Sequence, residues 1–169
     1  MKRFIAIIIA LLPMVLMAQA VMGIPFGSSY NQVKQEVKKK FGYNCIIDET
    51  PKELIINRPF LGNHQFRFGY LHFQYKDGVS YFSEAYFTKE FDSKSDAENF
   101  VYNIVQTLLK KYTEQIKTKI VGTHEFIYFG KNPFEDTYLG FISYHKPDNN
   151  YQVVLSYGPI NYVDESEDF

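Results

Sequence analysis

Apolar residues recur at helical spacing over Tyr30 to Phe41, where Tyr30, Val33, Val37 and Phe41 share one face. Ser29 with Gln32 three residues on makes a capping box, and Gly42 is a fitting left-handed stop, so the segment reads as a closed helix. A second run spans Asp96 to Tyr112, opened by Ser95 with Glu98 three residues later. Ala97, Phe100, Val101, Ile104, Val105, Leu108, Leu109 and Tyr112 form a stripe wide enough to lie across a sheet.

Elsewhere the period is two. Gln65 to Tyr75 and Val79 to Phe91 flank Asp77-Gly78, a strong hairpin signal because both central residues of that turn take positive φ. Carried without interruption, the register sets Phe68 opposite Phe87, Tyr70 opposite Ala85, His72 opposite Ser83 and Gln74 opposite Tyr81 on one side, which reads as core. Arg67 opposite Thr88, Gly69 opposite Tyr86, Leu71 opposite Glu84 and Phe73 opposite Phe82 make the other side. That side mixes rings with charge, a composition that suits either cover by other elements or a partner.

A further hairpin joins Tyr138 to Lys146 with Tyr151 to Tyr157 through Pro147-Asp148-Asn149-Asn150. Its register pairs Ile142 with Leu155 and Tyr144 with Val153 on an apolar face, and Ser143 with Val154 and His145 with Gln152 on a wetter one. Glu125 to Phe129, Tyr43 to Ile47 and Glu53 to Ile56 supply shorter strands. The order is therefore helix, four strands, helix, three strands. It predicts an α+β fold, an antiparallel sheet of about six to seven strands with two amphipathic helices packed on one face. Segments 29–92 and 93–163 are of similar length and each opens with a capped helix, which leaves open a duplicated helix-plus-sheet unit.

Composition strengthens the sheet reading: 14 Tyr and 16 Phe with no Trp favour strands. The first 20 residues change the picture more. Lys2 and Arg3, an apolar run from Phe4 to Met17 broken only by Pro13, and Ala18-Gln19-Ala20 have the layout of a secretory signal peptide, with the mature chain starting at Val21. A 14-residue apolar run rises about 21 Å as a helix, short of a hydrocarbon core of about 30 Å, so a cleaved leader is favoured over an anchor. The expected organisation is a signal peptide over 1–20, one domain over 21–163 and an acidic tail over 164–169, exported to the periplasm or secreted, with no membrane span after cleavage.

Loss of Lys2 and Arg3 leaves 16 basic residues against 19 acidic, a formal charge of −3 instead of −1. Mild acidity argues against nucleic acid as a partner. Lys38-Lys39-Lys40 is the only basic run and reads as a solvated helix end that complements the dipole. Cys45 has no intramolecular partner, so the fold rests on its core and not on a disulfide, and the thiol reads as a small buried apolar group.

The candidate chemistry is sparse. His64, His72, His124 and His145 show no zinc-motif spacing, and in the uninterrupted register His72 and Glu84 project from opposite faces, so neither metal nor cofactor is expected. There is no G-x-S-x-G, phosphate loop or dinucleotide fingerprint, and Gly27-Ser28-Ser29 is explained as a helix cap. Glu84, Glu90 and Asp92 are unranked carboxylates for glycoside cleavage, whose separation depends on the fold. What remains is aromatic surface: Arg67, Phe73, Tyr75, Phe82, Glu84 and Tyr86 form the candidate binding patch.

Gly23-Ile24-Pro25-Phe26-Gly27-Ser28-Ser29, followed by Val33 and Val37 and closed by Phe41-Gly42, resembles the opening of small exported proteins of unknown function from Bacteroides-type bacteria. It also resembles the first helix of BamE-type outer-membrane assembly lipoproteins and of the β-lactamase-inhibitor-protein fold. The chain departs from these in lacking a lipid-attachment cysteine and cysteine pairs. The resemblance implies a helix-plus-sheet architecture and a binding protein without catalytic residues. The leading expectation is an exported, non-enzymatic binding module for a protein or envelope component. An exported hydrolase assembled only in three dimensions, and a carbohydrate-binding module, stay open beside it.

Overall fold

Ser29 and Gln32 close the expected capping box in the computed structural model, which describes residues 20–76, 78–112, 116–121, 124–132, 136–146 and 150–160, with the backbone alone for Lys76, Val121 and His124. The leader up to Gln19, Asp77 of the first turn, Pro147 to Asn149 of the second and the acidic tail lie outside these residues. Helix α1 runs Tyr30–Phe41 as its pattern predicts. Helix α2 runs Lys94–Lys111 and is capped by Ser93 instead of Ser95, because the Ser93 hydroxyl accepts the Asp96 amide at 3.1 Å. Neither helix is long and apolar enough to cross a membrane.

The described residues also form twelve strands: β1 Ala20–Val21, β2 Ile24–Pro25, β3 Ile46–Thr50, β4 Glu53–Asn57, β5 Phe60–Leu61, β6 His64–Gln65, β7 Phe68–Lys76, β8 Val79–Phe91, β9 Lys117–Val121, β10 His124–Phe129, β11 Gly140–His145 and β12 Tyr151–Tyr157. Eight build one antiparallel sheet in the order β3-β4-β7-β8-β12-β11-β10-β9, and β1-β2 and β5-β6 are separate two-stranded ribbons. The fold is α+β, with more strands than the sequence pattern predicts. Strand β9 escapes the pattern because Lys117-Thr118-Lys119 carries no apolar alternation. Residues Tyr43–Cys45 form a single 3₁₀ turn, with the Cys45 amide bonded to the Gly42 carbonyl, so β3 starts three residues later than expected.

The two halves of the sheet repeat. Strands β3 and β4 start at Ile46 and Glu53, β9 and β10 at Lys117 and His124, a spacing of 71 residues in both cases. The pairs Glu49–Leu54 and Thr50–Glu53 recur as Ile120–Glu125 and Val121–His124, and Phe73–Phe82 and Gln74–Tyr81 recur as Tyr144–Val153 and His145–Gln152. Buried Val33 and Val37 of α1 answer to buried Ile104 and Leu108 of α2. Gly69-Tyr70-Leu71-His72-Phe73 answers to Gly140-Phe141-Ile142-Ser143-Tyr144. The halves meet through their last strands, β8 and β12.

One difference between the halves decides which side chains are inside. Strand β8 carries a bulge: Phe82 pairs with Phe73, but Glu84 pairs with His72 and Ala85 with Leu71, leaving Ser83 as an extra residue. Its position follows from β8 changing neighbours. Phe87 and Ala85 pair with β12, the Ser83 carbonyl accepts the Ile160 amide at 2.8 Å, and Phe82 bonds to Gly27 and Ser28 instead. The bulge gathers Leu71, Phe73, Phe82, Ala85 and Phe87 onto one buried side. The expectation that the side with Phe68, Tyr70, His72 and Gln74 is core is thereby corrected: those residues lie on the opposite face and stay half-exposed. In β11 and β12, which have no bulge, the expected register holds.

Both helices cover the buried side. Tyr30 of α1 packs on Phe73 with ring centroids 5.0 Å apart, and Phe100 of α2 on Phe91 at 5.1 Å and Phe66 at 5.4 Å. Cys45 is buried beneath α1, its thiol 3.8 Å from the Val37 carbonyl and pushed up in pKa by burial. Each helix is also pinned at its edge by a phenol on a carboxylate. Tyr30 donates to Glu49 at 3.0 Å and Tyr144 to Glu98 at 2.8 Å, and burial with these bonds pushes both phenols up to about 12. Glu49 is held below the usual carboxylate range chiefly by Lys34, 2.5 Å away, and then by Tyr30; Glu98 is held low chiefly by the Tyr144 hydroxyl.

A carboxyl whose pKa falls on folding stabilises the fold above its unfolded value, about 4.3 for Glu, and that contribution goes as pH drops through the folded value. The melting temperature is therefore expected to hold from neutrality to about pH 5 and to decline below about pH 4. A Glu49→Gln, Glu98→Gln double variant should melt lower at neutral pH and close the gap to the parent as the scan descends. A gap that persists unchanged to pH 2 would show that the two carboxylates carry no such linkage.

Candidate functional site

The face of the sheet turned away from the helices carries a second population of rings. Alternation places Phe68, Tyr70 and His72 of β7, Glu84 and Tyr86 of β8, Phe141 of β11, and Phe126 and Tyr128 of β10 on this side. All are half-exposed, and Tyr138, which lies against Tyr128 at 5.1 Å, is 37% exposed. Half-exposure follows from size and crowding: large rings on neighbouring strands shield one another's flanks while their outer edges meet water.

At the β4–β7–β8 end three polar side chains stand in a row. His72 pairs with Glu53 on one flank and Glu84 on the other. Its Nε2 lies 3.1 Å from the Glu53 carboxylate, and its ring meets Tyr86 edge-on at 5.3 Å. The Tyr86 hydroxyl donates to Glu84, and burial with that bond raises the phenol pKa, so it stays a donor. The expectation that His72 and Glu84 project from opposite faces is corrected, because the bulge restores them to one face. Among the described residues no three of His, Cys, Asp and Glu are arranged to hold a metal ion.

At the β9–β10–β11 end the composition changes sign. Lys117 pairs with Tyr128 and Lys119 with Phe126. With Tyr138, Phe141 and Pro159, the two lysines and Tyr128 line an open recess of about 510 Å³ whose acidic lining residue, Asp136, lies 4.0 Å from the Lys131 ammonium. Phe126, Tyr128 and Phe141 lie 5.5 to 6.2 Å apart with planes tilted between 27° and 70°. Between the two ends the surface dips over small side chains. Ser156 stands between Tyr86 and Phe141 in the register, and its hydroxyl is buried without a hydrogen-bond partner.

The residues singled out from the sequence divide three ways. Glu84 and Tyr86 belong to this face, and Arg67 reaches it, its guanidinium ion-paired with Glu90 and 5.2 Å from the Phe68 ring centroid. Phe73 and Phe82 do not: α1 covers them, and Phe82 is sandwiched by Phe26 at 5.0 Å and Phe73 at 5.9 Å. Tyr75, 65% exposed, lies at the far end of the β7–β8 hairpin, past the core. Of the carboxylates considered for glycoside cleavage, Glu90 is engaged by Arg67 and Asp92 sits beyond the end of β8. Tyr70, Phe126, Tyr128 and Phe141 were missed. For the last three the signal was present, since they occupy the alternate positions to the core residues Phe129 and Ile142 and to half-buried Ile127, which packs against the core.

Comparison with protein-family models, with curated proteins and with solved structures finds no match for this chain.

Proposed function

We propose that the protein is an exported, non-catalytic binding module whose working surface is the helix-free face of the sheet, and that its ligand is another protein. The observation that carries this reading is two groups of half-exposed rings, Phe68, Tyr70 and Tyr86 at one end and Phe126, Tyr128 and Phe141 at the other, on a face that no described helix covers. Such rings supply large contact area at small entropic cost, which is why they dominate protein interfaces. Their mutual tilts make a ridged relief that accepts inserted side chains, whereas a sugar platform calls for coplanar rings. The charge polarity, with Glu53 and Glu84 at one end and Lys117 and Lys119 at the other, gives a partner one preferred orientation.

Export rests on the leader pattern. Val21 is 2% exposed and pairs with Ile24 in the β1-β2 ribbon, so cleavage before it has to precede folding of this edge. The 71-residue recurrence supports a duplicated helix-plus-sheet unit as the origin of the sheet, with the bulge at Ser83 a later divergence of the first copy.

Tyr128→Ser combined with Phe141→Ser tests the reading. The double variant is expected to unfold cooperatively near the parent temperature, and to lose a partner that the parent, with an N-terminus at Val21, retains when isolated from the cell envelope. Collapse of cooperative unfolding would show that these rings are core. Undiminished retention of the partner would place the interface elsewhere.

A further inference from the structure

On the helix side of the sheet, the C-terminal ends of α1 and α2 converge on a cleft of about 590 Å³. Phe66 and Leu155 are among its buried apolar lining, Ile104 and Leu108 enter from α2 and Phe41 from α1, and Phe60, 48% exposed, flanks it from the β5-β6 ribbon. Its size lies within the range of about 300–1,000 Å³ typical of small-molecule sites. A phenyl left half in water beside an apolar cleft of this size points to a ligand that covers both.

The polar groups state what kind of molecule. Lys40 and Lys111, separated by the same 71 residues as the strands, both line the cleft, and among the described residues that line it none is a carboxylate. One carbonyl at each helix end is already served by backbone: the Gly42 amide caps Lys38 at 2.9 Å and the Tyr112 amide caps Leu108 at 2.8 Å. Lys40 donates to the Met22 carbonyl, which anchors its ammonium at the cleft. His64 adds no third charge. Burial, with Lys89 nearby, holds its imidazole below the ordinary range, and it shares a hydrogen bond with the Thr107 hydroxyl at 3.3 Å.

We propose that this cleft binds a fatty carboxylate, its single acyl chain laid over the apolar lining and its carboxylate paired with Lys40 and Lys111. Two lysines at one cleft, the Lys111 ammonium resting 5.1 Å from the Tyr112 ring centroid, suit one small anionic head. A nucleotide or inositol phosphate would call for the forked donors of arginine, and among the described residues that line the cleft none is an arginine. The site lies on the opposite side of the sheet from the ring-bearing face, so it stands or falls independently of it.

The chain has no tryptophan, so Phe60→Trp installs a single reporter at the cleft. Dodecanoate titrated into this variant is expected to shift its emission to the blue and saturate. Lys40→Ala with Lys111→Ala in the same background should raise the half-saturating concentration at least tenfold, and dodecanol should bind at least tenfold more weakly than dodecanoate. Absence of a saturable shift, equal response to the alcohol, or indifference to loss of the lysines would each overturn the assignment. So would a chain that keeps residues 1–20, already blue-shifted and unresponsive, because its own leader would then be the occupant.

Discussion

Gly140→Ala is expected to cost upwards of about 3 kcal/mol, the most of any single-methyl addition in this sheet, or to prevent cooperative folding altogether. A Cβ at this position would stand 2.1 Å from the Ser156 carbonyl oxygen and 2.7 Å from the Phe129 ring. The nearer obstacle is backbone of the adjacent strand β12, which has no rotamer to move into, so relief requires β11 and β12 to part where Gly140 pairs with Tyr157. The equivalent glycine of the first half makes the control. A Cβ on Gly69 would meet only side chains, Phe87 at 3.0 Å and Pro59 at 3.1 Å, which can give by tenths of an ångström. Gly69→Ala is expected to cost about 1–2 kcal/mol. Urea unfolding of the two variants measures both, and a Gly140→Ala chain as stable as its parent would mean that β11 and β12 do not approach as described.

The two expected penalties differ because the halves, alike in spacing and register, differ in what lies against the glycine: backbone at Gly140, side chains at Gly69. Gly-aromatic-aliphatic-x-aromatic starts the third strand of each half, and in each the glycine lies under a ring, Phe87 or Phe129. The second half threads β12 close over its glycine without a bulge. The first half inserts Ser83, and β8 thereby serves two sets of neighbours, β12 along one stretch and the Gly27–Ser29 segment along the other. Sequence similarity between the halves is thin because most positions are constrained only to be apolar, whereas spacing and register are constrained by every pair in the ladder.

Local signals were legible and long-range ones were not. Helix α1 was readable to the residue because the Ser29–Gln32 box and Gly42 act within a few positions. The β11–β12 register was readable because apolar pairs Ile142–Leu155 and Tyr144–Val153 alternate with polar ones. The β7–β8 faces were misjudged because rings occur on both sides of that hairpin, and composition alone does not say which side the helices cover. A sharper signal was there: in an unbroken strand Phe82 points opposite to Ala85 and Phe87, so an apolar face that includes all three needs one extra residue between them. What places that residue at Ser83 is the arrival of Ile160 and Gly27 on the far edge of β8, contacts that span most of the chain. The candidate site inherited the same error, since two of its six residues belong to the core.

Phe82→Ala is accordingly expected to destabilise by about 3–5 kcal/mol, and Tyr86→Ser by no more than about 1 kcal/mol, although the two lie four residues apart in one strand. Phe82 has no exposure, stacks on Phe26 and Phe73, and is bracketed by backbone bonds to Gly27 and Ser28, so truncation opens a cavity that no neighbour is free to fill. Tyr86 gives up its bond to Glu84 and its edge contact with His72, both at a half-exposed surface where water substitutes. Four residues apart in a strand with no bulge, the pair would share a face and the two costs would converge. A large gap in the urea midpoints therefore reports the extra residue at Ser83 directly. Nearly equal midpoints would return Phe82 to the surface, and with it the charged and ring-bearing patch that the uninterrupted register draws.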